Sequence, residues 1–307
     1  MKRARGVAAA IRVTGAVALA IAAPTAAASS QAVVPLVLGH VDVVLDSATW
    51  TDVEQSAFLH GGFSAVDSGW SISFGTRIAR RPLQLFGKYN YLEIAGPDPA
   101  AGSPAGQVSI TLVIEHPADF ERFKKLTGMS EEIDMVAADR PVCVGGLSSY
   151  CEGATRTLPL AVANSAVPAP LHIVLFGWDR AQELGVVDSM AVTNRSSARF
   201  LAPVFDADKP FKYISGATLA VPVTEIAAIS TVLRRDGIKV VAEGEGAIID
   251  LGGITVRLIP PWAGAGVKEL RFALTHDVPA NPVYTFGPRS HLRFGPGAVA
   301  VWDFNSP

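Results

Sequence analysis

The order of strand-like and helix-like segments constrains the fold of this chain most strongly. Residues 39–46 alternate apolar and polar side chains like a half-buried strand, and residues 47–60 carry apolar residues at the spacing of an amphipathic helix. Three further strand-like runs, 69–76, 83–86 and 88–95, follow. A strand, a helix and three strands are therefore expected within residues 35–97.

The same order begins twice more along the chain. A linker rich in Pro, Gly and Ala, residues 95–106, precedes a strand-then-helix pattern at 108–126, and another such pattern lies at 216–236. This repetition predicts an α+β fold in which repeated βαβββ modules form curved mixed β-sheets backed by helices. We place a first module at 35–97, a degenerate second module at 107–180, a further module at 211–275 and a C-terminal tail at 276–307.

The first thirty residues have the order of a secretory signal peptide. Basic residues precede an apolar stretch at 13–23, and small residues follow it, with Ala26 and Ala28 at the spacing of a cleavage site. The stretch is shorter than the roughly 20 residues of a membrane helix. We expect cleavage after Ala28 and a secreted or periplasmic protein with no membrane partner; an uncleaved anchor is the alternative.

Charge and cysteine content narrow the possible partners and the redox state. The chain has 26 Lys and Arg against 28 Asp and Glu and no long basic block, which disfavours a nucleic-acid partner. Its two cysteines are Cys143 and Cys151. Because thiols outside the cytosol are usually oxidised, export predicts a disulfide between them.

Strand alternation predicts one polar face on the first module. If Val41, Val43 and Leu45 pack under the helix, His40 and Asp42 face away from it. By the same alternation, the polar face also receives three side chains from residues 88–95: Tyr89, Tyr91 and Glu93. Imidazole and carboxylate are common ligands of Zn, Fe, Mn and Ni ions, so one divalent metal held by His40 and Glu93 is one interpretation of this face.

Two segments resemble a known superfamily. Residues 39–46 resemble the first strand, and residues 91–94 the last strand, of a module of the vicinal oxygen chelate superfamily, which includes glyoxalases, bleomycin-resistance proteins and extradiol dioxygenases built from paired βαβββ modules. Residues 40–63 and 86–93 are most similar to an uncharacterised bacterial family of exported glyoxalase-like proteins. The resemblance implies that His40 and Glu93 occupy the metal-ligand positions of the first module.

Two classes of function remain open at this point. In an enzyme, a lyase, isomerase or dioxygenase, the metal would polarise a substrate oxygen, with His172 as a candidate third ligand and Asp42 or Tyr91 moving a proton. In a binding protein, a small apolar or oxygen-bearing ligand would lie in a cleft between modules lined by aromatic residues: Tyr89, Tyr91, Trp70 and Trp178. The other modules carry Ser109 or Ala217 in place of His40, and Arg257 in place of Glu93, which favours the binding protein; a purely structural interaction protein is a third hypothesis.

Overall fold

The computed structural model describes most of the chain in several segments: residues 36–67, 82–98, 104–115, 117–127, 156–161, 171–177, 201–202, 204–235, 237–262 and 264–304. Several sequence predictions lie outside these residues: the signal peptide, the strand at 69–76, Trp70, Trp178 and the Cys143–Cys151 disulfide. Within the described segments, no helix has the length and apolar character to cross a membrane.

The first sheet contains seven strands in the order β2-β3-β4-β1-β5-β7-β6. Strand β1 is parallel to β4 and antiparallel to β5, and β5 is parallel to β7. The elements in chain order are β1 (Val37–Val44), α1 (Ser47–Gln55), a π-helix (Phe58–Phe63), β2 (Ala65–Asp67), β3 (Leu83–Phe86), β4 (Tyr91–Ala95), β5 (Val108–Ile114), α2 (Pro117–Thr127), β6 (Arg156–Ala161) and β7 (Leu171–Gly177).

The second sheet contains eight strands in the order β13-β14-β15-β12-β8-β11-β10-β9. Strands β8 and β11 are parallel, and the other neighbouring pairs are antiparallel. Its elements are β8 (Phe211–Ala220), α3 (Val223–Arg235), β9 (Lys239–Glu243), β10 (Gly246–Asp250), β11 (Thr255–Ile259), β12 (Gly266–Leu274), β13 (Val283–Phe286), β14 (Ser290–Gly295) and β15 (Val299–Phe304). The α+β class is confirmed. Residues 276–307, expected to form a C-terminal tail, contribute strands β13–β15 to this sheet.

Helix α1 begins where the sequence pattern predicted but is shorter. Asp46 is its N-cap, because the Asp46 Oδ1 atom accepts hydrogen bonds from the backbone N–H groups of Ala48 and Thr49, both at 3.0 Å. Thr51 lies inside the helix and donates its hydroxyl to the Ser47 carbonyl at 2.9 Å. The helix ends at Gln55, and the π-helix over Phe58–Phe63 replaces the rest of the predicted helix.

The apolar faces of both sheets share one core with the helices. Helix α1 contributes Trp50 and Val53 to it, and helix α3 contributes Ile226 and Ile229. Phe63 of the π-helix has no exposed surface and links the first half of the chain to the second sheet. Its ring lies 5.4, 5.6 and 5.9 Å, between centroids, from three aromatic rings on β8, β12 and β14: Phe211, Phe272 and Phe294.

A buried polar contact also joins the two sheets. Asn90, in the turn before β4, has no exposed surface; its Nδ2 donates to the Ile214 carbonyl at 3.1 Å, and its Oδ1 accepts from the Ile214 N–H at 2.7 Å. Beside it, the Lys88 N–H donates to the Lys212 carbonyl at 2.6 Å. A Cβ on Gly87 would stand 2.6 Å from the Lys212 carbonyl oxygen, so glycine permits this close approach. We call residues 87–90 and 212–214 the sheet junction.

Candidate functional site

Two rows of register partners, which include most of the candidate site residues, cross the first sheet. One row contains register partners from β3, β4, β1, β5 and β7: Gln84, Glu93, Asp42, Ser109 and His172. The next row on the same face contains Phe86, Tyr91, His40 and Thr111, and Val174 of β7 is the register partner of Thr111. The intervening row belongs to the core, where Val41, Leu85 and Leu92 have no exposed surface. Alternation therefore brings His40, Asp42, Tyr91 and Glu93 to one face, as predicted.

His40 lies at the centre of this polar face. Its ring stacks on the Tyr91 ring at 4.5 Å between centroids with an interplanar angle of 23°. The His40 Nε2 atom is 3.0 Å from Thr111 Oγ1 and 3.5 Å from Asp42 Oδ2. The His40 side chain is 10% exposed, whereas that of Asp42 is 30% exposed. Asp42 is therefore the member of this pair that a ligand in solution can reach.

Neighbouring carboxylates control the charge of His40. Burial alone would lower the pKa of the imidazole, because it disfavours the charged form. The negative charge of Asp42, its hydrogen bond and the charge of Glu93 act in the opposite direction and outweigh burial, so the pKa of His40 is raised above its ordinary value of 6.5. A proton on His40 is thus stabilised by the acids that share its face.

The raised pKa predicts a link between folding and pH. A group whose pKa is higher in the folded protein contributes stability that is complete below its unfolded value and is lost as the pH rises through its folded value. We expect the difference in free energy of unfolding between the protein and His40→Gln to shrink as the pH rises from about 6 through the raised pKa. Urea denaturation of both proteins between about pH 5 and about pH 9 measures this. A difference independent of pH would contradict the linkage.

The candidate metal ligands have protein partners. Glu93 is 6% exposed, and its Oε2 accepts a hydrogen bond from Gln84 Nε2 at 3.0 Å. Among the described residues, no group of three or more His, Cys, Asp or Glu side chains is arranged to hold a metal ion. His172 of β7 is the register partner of Ser109 of β5, and its side chain is not among those that the structure describes. Catalytic zinc sites usually have three protein ligands, so these residues alone do not complete one, and metal binding stays a prediction.

Tyr89 does not belong to strand β4, which begins at Tyr91. Its position in the preceding turn means that strand alternation does not determine its direction. Its ring instead makes an edge-to-face contact with Tyr213 of β8, at 5.6 Å between centroids and an interplanar angle of 65°. The structure therefore associates Tyr89 with the second sheet and Tyr91 with His40.

Sequence reasoning missed Thr111 and Gln84 as members of the site. The alternation of residues 108–114 and 83–86 shows that Thr111 and Gln84 each lie on one face of their own strand. Only the pairing of β5 with β1 and of β3 with β4 shows that this is the face that carries His40.

The corresponding positions of the second sheet carry different chemistry. Thr218 of β8 pairs with Arg257 of β11, in the same parallel arrangement as Asp42 with Glu93. The sequence analysis placed Ala217 at the position that corresponds to His40 in the first module. Ala217 is only 5% exposed and faces the core, so Gly216 and Thr218 lie on the polar side instead. Arg257 donates two hydrogen bonds of 2.6 Å to Glu243. This face therefore carries an ion pair where the first sheet has its histidine and acids.

No family model matches the sequence, and no curated protein matches it. One solved structure that aligns is a hypothetical protein from Staphylococcus aureus, 12% identical, with 81% of this chain and 95% of that chain covered and a TM-score of 0.48. Another is a xylose isomerase-like TIM barrel/4-hydroxyphenylpyruvate dioxygenase fusion protein, 10% identical, with 80% of this chain and 39% of that chain covered and a TM-score of 0.42. Both TM-scores are low, and neither likeness decides the family or the function.

Proposed function

We propose that this protein is an exported, glyoxalase-like member of the vicinal oxygen chelate superfamily that binds a small, neutral, oxygen-bearing ligand. The ligand lies on the polar face of the first sheet, where the first and second βαβββ modules meet. The observation that carries the proposal is the Asp42–His40 pair, with a partly exposed carboxylate 3.5 Å from a buried imidazole of raised pKa. Such a pair both accepts a hydrogen bond and exchanges a proton.

The charges on this face favour a neutral ligand with hydroxyl groups. A protonated His40 is surrounded by two carboxylates, Asp42 and Glu93, so the three side chains together are negative and disfavour an anion. A ligand hydroxyl can donate to Asp42, and the half-buried Tyr91 ring offers an apolar surface beside it. The ligand keeps its proton and donates a hydrogen bond to Asp42, while a protonated His40 offsets the negative charge of that carboxylate.

Catechol tests this proposal, because it has two adjacent hydroxyl groups on a flat ring. We expect binding in the range of about 1 mM by calorimetry, as for other ligands of this size, and at least about tenfold weaker binding to Asp42→Asn. The ether 1,2-dimethoxybenzene, which has no hydroxyl donors, should not compete. Asp250→Asn, on the second sheet, is the matched control and should bind catechol like the unaltered protein. Equal affinities of Asp42→Asn and the unaltered protein would reject the site.

A metal-dependent enzyme is the alternative, favoured by one observation: the charge of Glu93 reaches the imidazole of His40 on the same face. Elemental analysis of the purified mature protein for Zn, Fe, Mn and Ni distinguishes the two functions. If a metal is bound here, His40→Ala and Glu93→Gln should each lose it without unfolding, since neither side chain belongs to the apolar core. Retention of the metal by both variants would place it elsewhere.

Export of the protein would determine two features of residues outside the described segments: the N-terminus and the state of the two cysteines. In the native host, we expect the mature protein to begin at residue 29 and to contain a Cys143–Cys151 disulfide. Mass spectrometry after alkylation without a reductant tests both statements. Two alkylated cysteines would show that the disulfide is absent, and an intact N-terminus would support the uncleaved anchor.

A further inference from the structure

A cavity opens beside the sheet junction, and none of its described lining residues belongs to the polar face of the first sheet that carries His40, here called the His40 face. It has a volume of about 550 Å³, and both sheets contribute to its wall. The residues that matter for its chemistry are Leu38, Tyr89, Glu115, Lys212, Tyr213 and Ile254. Gly252 and Gly253 also line it, and a Cβ at either position would meet no atom within 4 Å, so this part of the wall is open space.

Tyr89, in the turn before β4, and Tyr213 of β8 meet in this cavity. Tyr89 and Tyr213 are in edge-to-face contact, although Tyr89 is 42% exposed. Their backbones are fixed by the sheet junction, because Lys88 and Asn90 on either side of Tyr89 hydrogen-bond to Lys212 and Ile214 on either side of Tyr213. A partly exposed aromatic pair whose backbones are held by hydrogen bonds is organised before any ligand arrives, which lowers the entropy cost of binding.

Two ammonium groups lie beside the tyrosine rings of this cavity. The Lys88 ammonium lies 5.3 Å from the centroid of the Tyr89 ring, and the Lys212 ammonium lies 6.0 Å from that of Tyr213. Among the described residues, the wall itself contains one ammonium group, that of Lys212, and one carboxylate, that of Glu115. Two ammonium groups against one carboxylate favour an anion, the opposite preference from the His40 face.

We propose that this cavity binds a small aromatic carboxylate. Its ring extends the edge-to-face cluster of Tyr89 and Tyr213, with Leu38 and Ile254 on the apolar part of the wall. Its carboxylate lies near the ammonium groups of Lys88 and Lys212, which remain in contact with water and therefore contribute modestly. The site is separate from that of the proposed function and does not depend on it.

Benzoate and its neutral analogue benzamide test this proposal by ligand-observed NMR and calorimetry. We expect benzoate to bind with a dissociation constant of about 1 mM, several times more tightly than benzamide. Tyr89→Ala should weaken benzoate at least about fivefold, and Lys88→Gln combined with Lys212→Gln should remove the preference for benzoate over benzamide. Lys125→Gln, on the exposed side of α2, is the control for removal of an ammonium group elsewhere on the surface and should bind benzoate unchanged.

Three results would overturn the proposal: no benzoate binding up to about 10 mM, equal binding of benzoate and benzamide by the unaltered protein, or unchanged affinity in Tyr89→Ala. Circular dichroism checks that each variant is folded, and Tyr89→Leu, which keeps an apolar side chain, serves if the alanine variant is unstable. Catechol binding at the His40 face should be unaffected by Tyr89→Ala, so failure at one site is distinguishable from failure at the other.

Discussion

Replacing Phe63 by alanine should lower the free energy of unfolding by about 3–5 kcal/mol, as truncation of a buried phenylalanine does in well-packed cores. Phe63 has no exposed surface, and its ring contacts aromatic rings on three strands of the second sheet. The π-helix backbone and the sheet hold the surrounding atoms in place, so the vacated volume cannot collapse fully. The loss therefore includes the transfer free energy of the ring and the contacts around the cavity.

Chemical denaturation with a signal from each sheet measures this effect. Phe63→Leu, which keeps part of the volume, should cost less than Phe63→Ala. Val241→Ala is the control, because Val241 is 49% exposed on β9 and its truncation should change the free energy of unfolding by about 0.5 kcal/mol or less. A loss below about 1 kcal/mol for Phe63→Ala would mean that the π-helix does not join the two sheets.

The buried faces of the first sheet could be predicted because they depend on local alternation alone. Val41, Val43, Leu92 and Ile94 are at most 1% exposed, as their spacing indicated. The end of α1 could not be predicted in the same way. The apolar residues Phe58 and Phe63 suit a longer helix as well as the π-helix, and their contacts with the second sheet decide between the two.

The site shows the same limit. Alternation was enough to bring His40, Asp42 and Glu93 to one face, because each belongs to a regular strand. Alternation failed for Tyr89, because this residue lies in the turn at Gly87–Asn90 and not in the strand. It also failed for Ala217, because the predicted alternation of β8 was displaced by one residue and so exchanged its two faces. The partner Thr111 required knowledge of which strand pairs with β1, and that long-range choice is not contained in any local pattern.

Replacing Asn90 by alanine should lower the free energy of unfolding by about 2–5 kcal/mol, because each buried polar group left without a partner costs about 1–3 kcal/mol. The Asn90 amide replaces a strand partner for Ile214, satisfying both its N–H and its carbonyl at the sheet junction. Alanine removes both partners and leaves a space between the sheets. Gln55→Ala, an exposed amide at the end of α1, is the matched control and should change stability little.

Asn90→Asp separates the loss of hydrogen bonds from the loss of volume, since the two side chains have nearly the same shape. A protonated carboxyl can donate to the Ile214 carbonyl and accept from its N–H, as the amide does, whereas an ionised one places a buried charge against the carbonyl oxygen. Burial raises the pKa of such an aspartate, so its stability relative to the unaltered protein should be greatest below about pH 4 and fall as the pH rises through the raised value. Denaturation of both proteins across this pH range shows whether the difference in their free energies of unfolding depends on pH. A deficit that is the same at all pH values would show that the carboxyl does not take the place of the amide between the sheets.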